Sequence, residues 1–447
     1  MWRVRPRKRR SSDLSRSVDV ASDDALLDRA QRAAFGYFVE HCNPANGLVA
    51  DTASEGAPAS IAVVGFALAS YVVGVERGWI SREDAVERTL AALRFFARSE
   101  QSRRAEATGY KGFYYHFLDM RSGRRAGRSE LSTVDTALLV AGVLTARGYF
   151  ASNTPEEAEI RGCADAIFNR VDWLWCCNNG AKVQQAWKPA SGFSRHRWEG
   201  YSEATILFFL GLGSPTHPLP AESFATWTEI HQWMTIYGQT LLYSGPLFTH
   251  QYSHAWIDFR GVQDKFMRER DCDYFENSRR ATIVQREYAL ANPGGFKGYG
   301  ENSWGFSAGE GPGKTVLMVD GVRRRFLAYA ARGAPFGPED GTIAGVSAVS
   351  SLPFAPELAI PVLRHLIANS LGVTPHGRLT SGFNPTFPGA GSAGWASSGS
   401  FGLDQGILVL MIENYRSGLI WAIMRECPYL RQGLRRAGFC GGWLGTP

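Results

Sequence analysis

Long apolar runs are missing from this 447-residue sequence. The most apolar stretch, residues 61–75, falls short of the roughly 20 residues that a bilayer-crossing helix needs, and Gly65 and Gly74 interrupt it. No membrane span is expected. Cysteine is sparse: seven residues, an odd number that includes the adjacent Cys176 and Cys177, with no CxxC ladder. That pattern excludes a disulfide framework and reads as mostly buried thiols. A Pro- or Ser-rich linker is absent, as is any repeat of about 34–47 residues of the kind that builds a helical solenoid. Charge of one sign is missing everywhere except the start. Lys and Arg number 48 against 42 Asp and Glu, but residues 1–16 hold seven of the basic side chains (Arg3, Arg5, Arg7, Lys8, Arg9, Arg10, Arg16) and only Asp13 opposes them. The rest of the chain is neutral. A basic tail attracts phosphate without specificity, so nucleic acid is not an expected partner of the folded body. No apolar export core follows the tail, only Ser11, Ser12, Asp13 and further polar residues. As written, the chain is expected in the cytoplasm; a start codon further upstream would add a leader and send it to the periplasm.

What is present is a globular composition, 45% hydrophobic and 20% charged. Apolar residues recur at helical spacing in twelve segments: 24–42, 60–75, 81–98, 131–149, 155–175, 202–212, 221–243, 257–291, 319–332, 356–371, 403–415 and 418–426. Ser22 with Asp23, and Ser81 followed by Glu83 and Asp84, are start signals for the first and third. Only residues 110–118 read as a short hairpin strand. Long segments rich in Gly and aromatics separate the helices at 109–128, 177–200, 244–256, 293–314 and 374–401, and loops of that length inside a domain are usually functional. Helical pairs alternating with long loops predict an all-α fold, an (α/α)6 toroid with its loops over one mouth. The expected layout is a basic tail at 1–20, one domain over 21–430 and a C-terminal tail at 431–447.

The loops carry flat rings beside amides, carboxylates and imidazoles. A sugar needs this mixture, because its C–H faces take apolar contact and its hydroxyls take directed hydrogen bonds. Tyr115, Trp187, Trp198, Tyr201, His250, Tyr252, His254, Trp256, Tyr299, Asn302 and Trp304 are therefore candidate glycan contacts, with Asp258 and Asp404 as acidic ones. Glycoside hydrolysis needs two carboxyl groups, one protonated as general acid and one ionised as base or nucleophile. Glu203, among Trp198, Tyr201 and other apolar neighbours, suits the acid, since desolvation raises a carboxyl pKa. Asp135 sits in the otherwise apolar start LSTVDTALL, where an unused charge is costly. Glu310 lies on the Gly-rich SAGEGP loop. Each also has an ordinary structural explanation as a cap or an ion-pair partner, and Asp258 has Arg260 beside it. Gly305 to Gly309 match GxSxG without the strand and helix that motif needs. Gly309 to Thr315, GEGPGKT, lacks the first glycine of a phosphate loop, and Pro312 removes a cradle N–H. His250 and His254 are spaced like zinc ligands but lack the intervening glutamate and a third ligand. No metal or organic cofactor is expected.

Several long blocks resemble one family. ASIAVVGFALASYVVGVERGWISREDA, GYKGFYYHFLDM, ELSTVDTALLVAG, GYSEA, LGLGSPTHPLP, LFTHQYSHAWIDFRGVQD, DYFENSRRATIVQREYALANP, GYGENSWGFSAGEGP and GLDQGILVLMIENYRSGLIW follow in order between Phe35 and Trp421. Together they resemble the bacterial glycoamylase-like proteins, which include endo-β-1,2-glucanases and the transglycosylating domain of cyclic β-1,2-glucan synthases. The resemblance implies an (α/α)6 barrel, cofactor-free cleavage of β-glucan, Glu203 of GYSEA as general acid, and Asp135 with Glu310 as further acidic walls of the cleft. Many relatives carry Asp where Glu310 stands, and the extra methylene moves the carboxylate, which weighs against Glu310 as the base. The glucanases invert and the synthase domain retains, so hydrolysis, transglycosylation and binding without chemistry are the outcomes to separate. Carboxyls about 6.5–9.5 Å apart favour inversion and about 5–5.5 Å retention.

Overall fold

Several helices in this chain start where a side chain satisfies one of their first free N–H groups. In the computed structural model, which describes residues 22–389, 391 and 394–446, Ser22 accepts from the N–H of Ala25, Ser81 from Asp84, Ser132 from Asp135 and Thr154 from Glu157. Each such cap contributes about 1 kcal/mol. The basic segment expected at 1–20 lies outside the described residues. The helices are α1 (Asp23–Glu40), α2 (Ile61–Glu76), α3 (Arg82–Arg98), α4 (Thr133–Tyr149), α5 (Pro155–Arg170), α6 (Thr205–Leu212), α7 (Ser223–Thr228), α8 (Lys265–Arg268), α9 (Tyr274–Ala291), α10 (Gly345–Ser350), α11 (Pro356–Ala368), α12 (Gly402–Arg416), α13 (Leu419–Arg425) and α14 (Pro428–Arg436).

Burial sorts them into two layers. α2, α4, α6, α10 and α12 are covered on nearly every side, whereas α1, α3, α5 and α11 bury one face. A helix apolar all round must be enclosed, and one with a single apolar stripe belongs outside. α2 packs on α4 and α12, α4 on α6, and α10 on α12. Outside them α1 lies against α12, α3 and α5 pack together, and α11 covers α10. Between α6 and α10 two 3-10 turns, Leu247–His250 and Ser253–Ala255, take an inner place. Ser253 Oγ accepts from the Ile206 N–H of α6 at 3.1 Å. Among the described residues no single helix is long and apolar enough to cross a membrane.

Glycine sets the closest approach. A Cβ on Gly142 of α4 would lie 2.0 Å from the Gly65 carbonyl oxygen of α2, and one on Gly65 would lie 2.2 Å from that of Leu138. The two backbones meet with no room for a methyl group. Gly142→Ala is thus expected to lower the unfolding free energy by about 1–3 kcal/mol through overpacking, read as a lower urea midpoint at unchanged slope.

The expectation of an all-α fold needs correction. Helices dominate, but small antiparallel sheets tie the loops together, the largest running in the order Gly109–Tyr110, Phe113–Tyr115, Leu131–Ser132, Ala186–Lys188, Gly192–Phe193. Residues 221–243 do not form one helix: α7 is followed by the hairpin Trp233–Ile236 and Gln239–Leu242, closed by Tyr237 and Gly238 at φ 47° and 75°. Within 319–332 the chain instead completes the hairpin Thr315–Val319 and Val322–Phe326, closed by Asp320 and Gly321 at φ 51° and 79°, and then pairs Ala330–Ala331 with Ala308–Gly309. Two positive φ values suit the turn whose twist matches paired strands. Within 257–291 only α8 and α9 are helical. The expected tail at 431–447 is also revised. α14 packs on α6, Cys440 bridges Gln263, and Trp443 Nε1 donates to the Asp258 carbonyl at 2.7 Å.

Candidate active site

Four carboxylates gather where inner helices begin. Asp51 precedes α2, Asp135 stands in the first turn of α4, Glu203 lies just before α6, and Asp404 occupies the first turn of α12. Short pairings hold these ends together: Thr52 bridges Phe401, Ser60 pairs with Phe117, and Ser132 pairs with Tyr114 and Ala186. The partial positive charge of each helix N-terminus favours an acid there.

The four acids are not equivalent. Burial raises the Glu203 carboxyl to about 7, its own N–H offsetting part of the rise and the charge of Asp135 adding to it. Glu203 nevertheless keeps some solvent-accessible surface, as a proton donor must. Burial also lifts Asp404 to about 7, against a Ser381 hydroxyl that favours the ion, and with a contribution from Asp51. Among the described residues its Oδ2 finds no hydrogen-bond partner. Asp51 is raised to about 6, by burial first, then opposed by His116 and pushed further by Asp135. Asp135 is held differently, because Ser132 Oγ donates to its Oδ2 at 2.5 Å and His116 Nδ1 stands 3.7 Å from the same oxygen. Carboxyls whose surroundings separate their ionisation can divide acid and base work between them.

Glu310 reaches the site by another route. Its N–H donates to Ser381 Oγ at 3.2 Å, the hydroxyl that also faces Asp404, and Ser397 Oγ donates to its Oε2 at 2.6 Å. The buried Arg332–Asp340 pair fixes this stretch, with Arg332 Nε 2.7 Å from Asp340 Oδ1 and Nη1 donating to the Gly309 carbonyl at 3.0 Å. Tyr252 lies in the field of Asp404, Glu203 and Asp135, and burial first, then those charges, hold its phenol well above the usual range. Trp198 Nε1 donates to Thr133 Oγ1 at 2.9 Å, which puts the indole beside the start of α4. Of the expected contacts, Asp404, Tyr252 and Trp198 therefore join Glu203, Asp135 and Glu310.

Others are corrected. Trp256 and Trp304 are wholly buried, and Trp256 packs on Phe66 at 4.7 Å. His254 is core: Nε2 meets Ser278 Oγ at 3.0 Å while the ring packs on Phe259 and Phe354. His250 is equally enclosed, with Nε2 donating to the Ser244 carbonyl at 3.1 Å. Burial lowers both imidazoles, to about 4 for His250 and about 3 for His254. The Asp258 side chain is sealed from solvent between Arg260 and Arg425, so it anchors α13 rather than a sugar. Tyr201 lies flat against Tyr274 at 5.8 Å, and Trp187 packs in a cluster with Tyr110 and Trp175. Tyr115 is buried under the Arg125 guanidinium, 4.6 Å from its ring centre. Tyr299 belongs with Phe296, Phe306 and Glu339, away from the four acids, and Asn302 sits in the tight turn between Gly300 and Ser303. Rings that pin loops and rings that hold sugar have the same composition, which is why the sequence alone did not separate them.

Three residues escaped the sequence reading. Asp51 stands among small residues with no distinguishing spacing. His116 lies inside the block GYKGFYYHFLDM, where the aromatics masked it. Tyr329 follows that hairpin; the residue is 59% exposed, and burial of its phenol first, then the charges of Asp404, Asp51, Asp135 and Glu203, raise it. An exposed ring facing all four acids is a ready stacking surface.

Comparison with known proteins identifies the family. A family model named Glycoamylase, described as "putative glucoamylase", matches residues 195–428. The chain is 27% identical to an exo β-1,2-glucooligosaccharide sophorohydrolase (non-reducing end) of Parabacteroides distasonis over 95% of its own length, and it spans 59% of that curated relative. A crystal structure of a "putative glucoamylase" from Bacteroides uniformis superimposes with TM-score 0.83 at 29% identity, covering 95% of this chain and 99% of the other. An endo-β-1,2-glucanase from Chitinophaga pinensis, in complex with sophorotriose and glucose, superimposes with TM-score 0.83 at 26% identity over 94% and 99%. With the model spanning more than half of its residues, the chain belongs to the Glycoamylase family.

Proposed function

We propose that this protein is a glycoside hydrolase that cleaves β-1,2-glucan, with Glu203 as general acid and Asp135 as general base, on an (α/α)6 toroid. The inner contacts support the toroid: α2 to α4, α4 to α6, onward through the 3-10 turns to α10, then α12 and back to α2. One observation carries the chemistry. A carboxyl raised to about 7, and facing Asp135, stands in a mouth ringed by loops and helix N-termini. At neutral pH a substantial fraction of Glu203 holds the proton needed by the leaving glycosidic oxygen. Asp135, oriented by Ser132, is the anion that takes a proton from the attacking water. Asp404, also near half-protonation at pH 7, donates to or accepts from a sugar hydroxyl. Tyr329 and Trp198 offer the C–H faces of the glucose rings an apolar surface. The linkage is supported by the names of the relatives at 27% and 26% identity.

The test is a screen of purified protein on β-1,2-, β-1,3-, β-1,4- and α-1,4-glucans with product sizing at low and high substrate concentration. Oligosaccharides of β-1,2-linked glucose are expected, growing no longer than the substrate. Cleavage of α-1,4-glucan alone overturns the linkage. Products longer than the substrate reassign the enzyme to transglycosylation.

A further inference from the structure

We propose that His116 is a positioning residue for Asp135: its imidazolium, clamped between Glu130 and Asp135, supplies the positive charge that keeps the base in the acidic mouth. This rests on the hydrolase reading above. His116 Nδ1 lies 3.0 Å from Glu130 Oε1 and 3.7 Å from Asp135 Oδ2. The ring stacks on Phe117 with centres 3.9 Å apart and planes 14° from parallel, and the backbone N–H of His116 donates to the Glu130 carbonyl at 2.8 Å. Glu130 and Asp135 flank the short strand Leu131–Ser132, and Ser132 caps α4, so the backbone holds both carboxylates on the same side of the ring's surroundings.

The charges around the ring are of one sign. Asp51 faces it from the loop before α2, Glu130 from the strand entrance and Asp135 from α4. Lys188 acts on Glu130. Burial alone lowers the imidazole, but Asp135, Glu130 and Asp51 more than reverse this and bring it to about 9. Glu130 is lowered to about 2, chiefly by its hydrogen bond to His116. A neutral imidazole would remove the cation that acts on Asp51 and stands beside Asp135, and like charges left so placed push protons back onto carboxylates.

Two measurements decide the matter, one of them independent of turnover. Nitrogen-15 spectra of histidine-labelled full-length protein, with the His116 resonance assigned by its loss in His116→Asn, should show a doubly protonated ring at pH 7.5. Asp135→Asn and Glu130→Gln should each lower its midpoint. A neutral His116 at pH 7.5 overturns the proposal whatever the substrate proves to be. The second measurement is the pH profile of β-1,2-glucan cleavage. His116→Asn keeps a donor near the Nδ1 position and removes the charge, so the acidic limb of kcat should move up, with roughly a tenfold loss of rate on that limb. KM should hardly change, and His116→Lys should restore part of the rate. An unmoved limb in a folded His116→Asn variant also overturns the proposal. Lack of any glucanase activity in the parent protein overturns the hydrolase reading instead, and leaves the spectra to judge the clamp.

Discussion

Replacing Glu203 by Gln is expected to lower kcat on β-1,2-glucan by about 10²–10⁴-fold, the usual contribution of a positioned general acid, while glucan binding measured by calorimetry persists. The side chain keeps its shape and its backbone contact to Ser253, where the Ser253 hydroxyl donates to the Glu203 carbonyl at 3.0 Å, so the loss is one of proton supply. Two further readouts separate this from a damaged site. A β-1,2-linked disaccharide fluoride has a leaving group that needs little protonation, and the variant should still cleave it. In the parent enzyme kcat/KM should fall as pH rises through about 7, because the raised carboxyl is protonated below that point and ionised above it. The same variant should be at least as stable as the parent at pH 8, since it removes a buried group whose ionisation opposes folding. Full activity of Glu203→Gln on glucan would reassign the acid, with Asp404 next in line because it too is raised to about 7.

Periodicity carried most of the helices and little of the sheet. α1, α2, α3, α4, α11, α12 and α13 lie close to their expected places, since long apolar stripes, capped by Ser in α1, α3 and α4, leave few alternatives. The hairpin at 315–326 was legible in principle, because Asp320-Gly321 between apolar residues is a strong turn signal. Its arginines at 323–325 can also be read as one exposed helix face. α14 was hidden by its charge: PYLRQGLRR presents only Leu430, Gly433 and Leu434 to the core. A Cβ on Gly433 would come 1.8 Å from the Phe209 carbonyl oxygen, so this helix touches α6 backbone to backbone and needs little apolar surface.

The candidate site divided in a similar way. Glu203, Asp135 and Asp404 stood out because an acid in an apolar helix start is unusual whatever the fold. Aromatic and histidine candidates fared worse. Trp256, Trp304, His250 and His254 look like sugar contacts by composition, and only the packing of the 3-10 turns at 247–255 against α10 and α12 shows that they are interior. Asp51 and His116 were out of reach of sequence spacing, because their importance comes from chain segments that approach Asp135 through strand pairing.

Asp135→Asn should be as damaging as loss of the acid, about 10²–10⁴-fold in kcat, but with a different signature. Without its negative charge the proton on Glu203 is held less tightly, since Asp135 contributes to raising that carboxyl, and the alkaline limb of the residual activity should move to lower pH. Azide, a nucleophile that needs no base, should restore turnover to Asp135→Asn and not to Glu203→Gln; the anomeric configuration of the glycosyl azide reports which face of the sugar Asp135 serves. Glu310→Gln provides the contrast. Its carboxylate already accepts from Ser397 at 2.6 Å, which is the behaviour of a group that orders the loop carrying it, and its loss should cost about tenfold, near the worth of one hydrogen bond to a charged group. If instead Glu310→Gln is the variant that azide rescues and Asp135→Asn is only mildly impaired, the base belongs to the Gly-rich loop. The clamp formed by Glu130, His116 and Asp135 would then serve to hold substrate rather than to activate water.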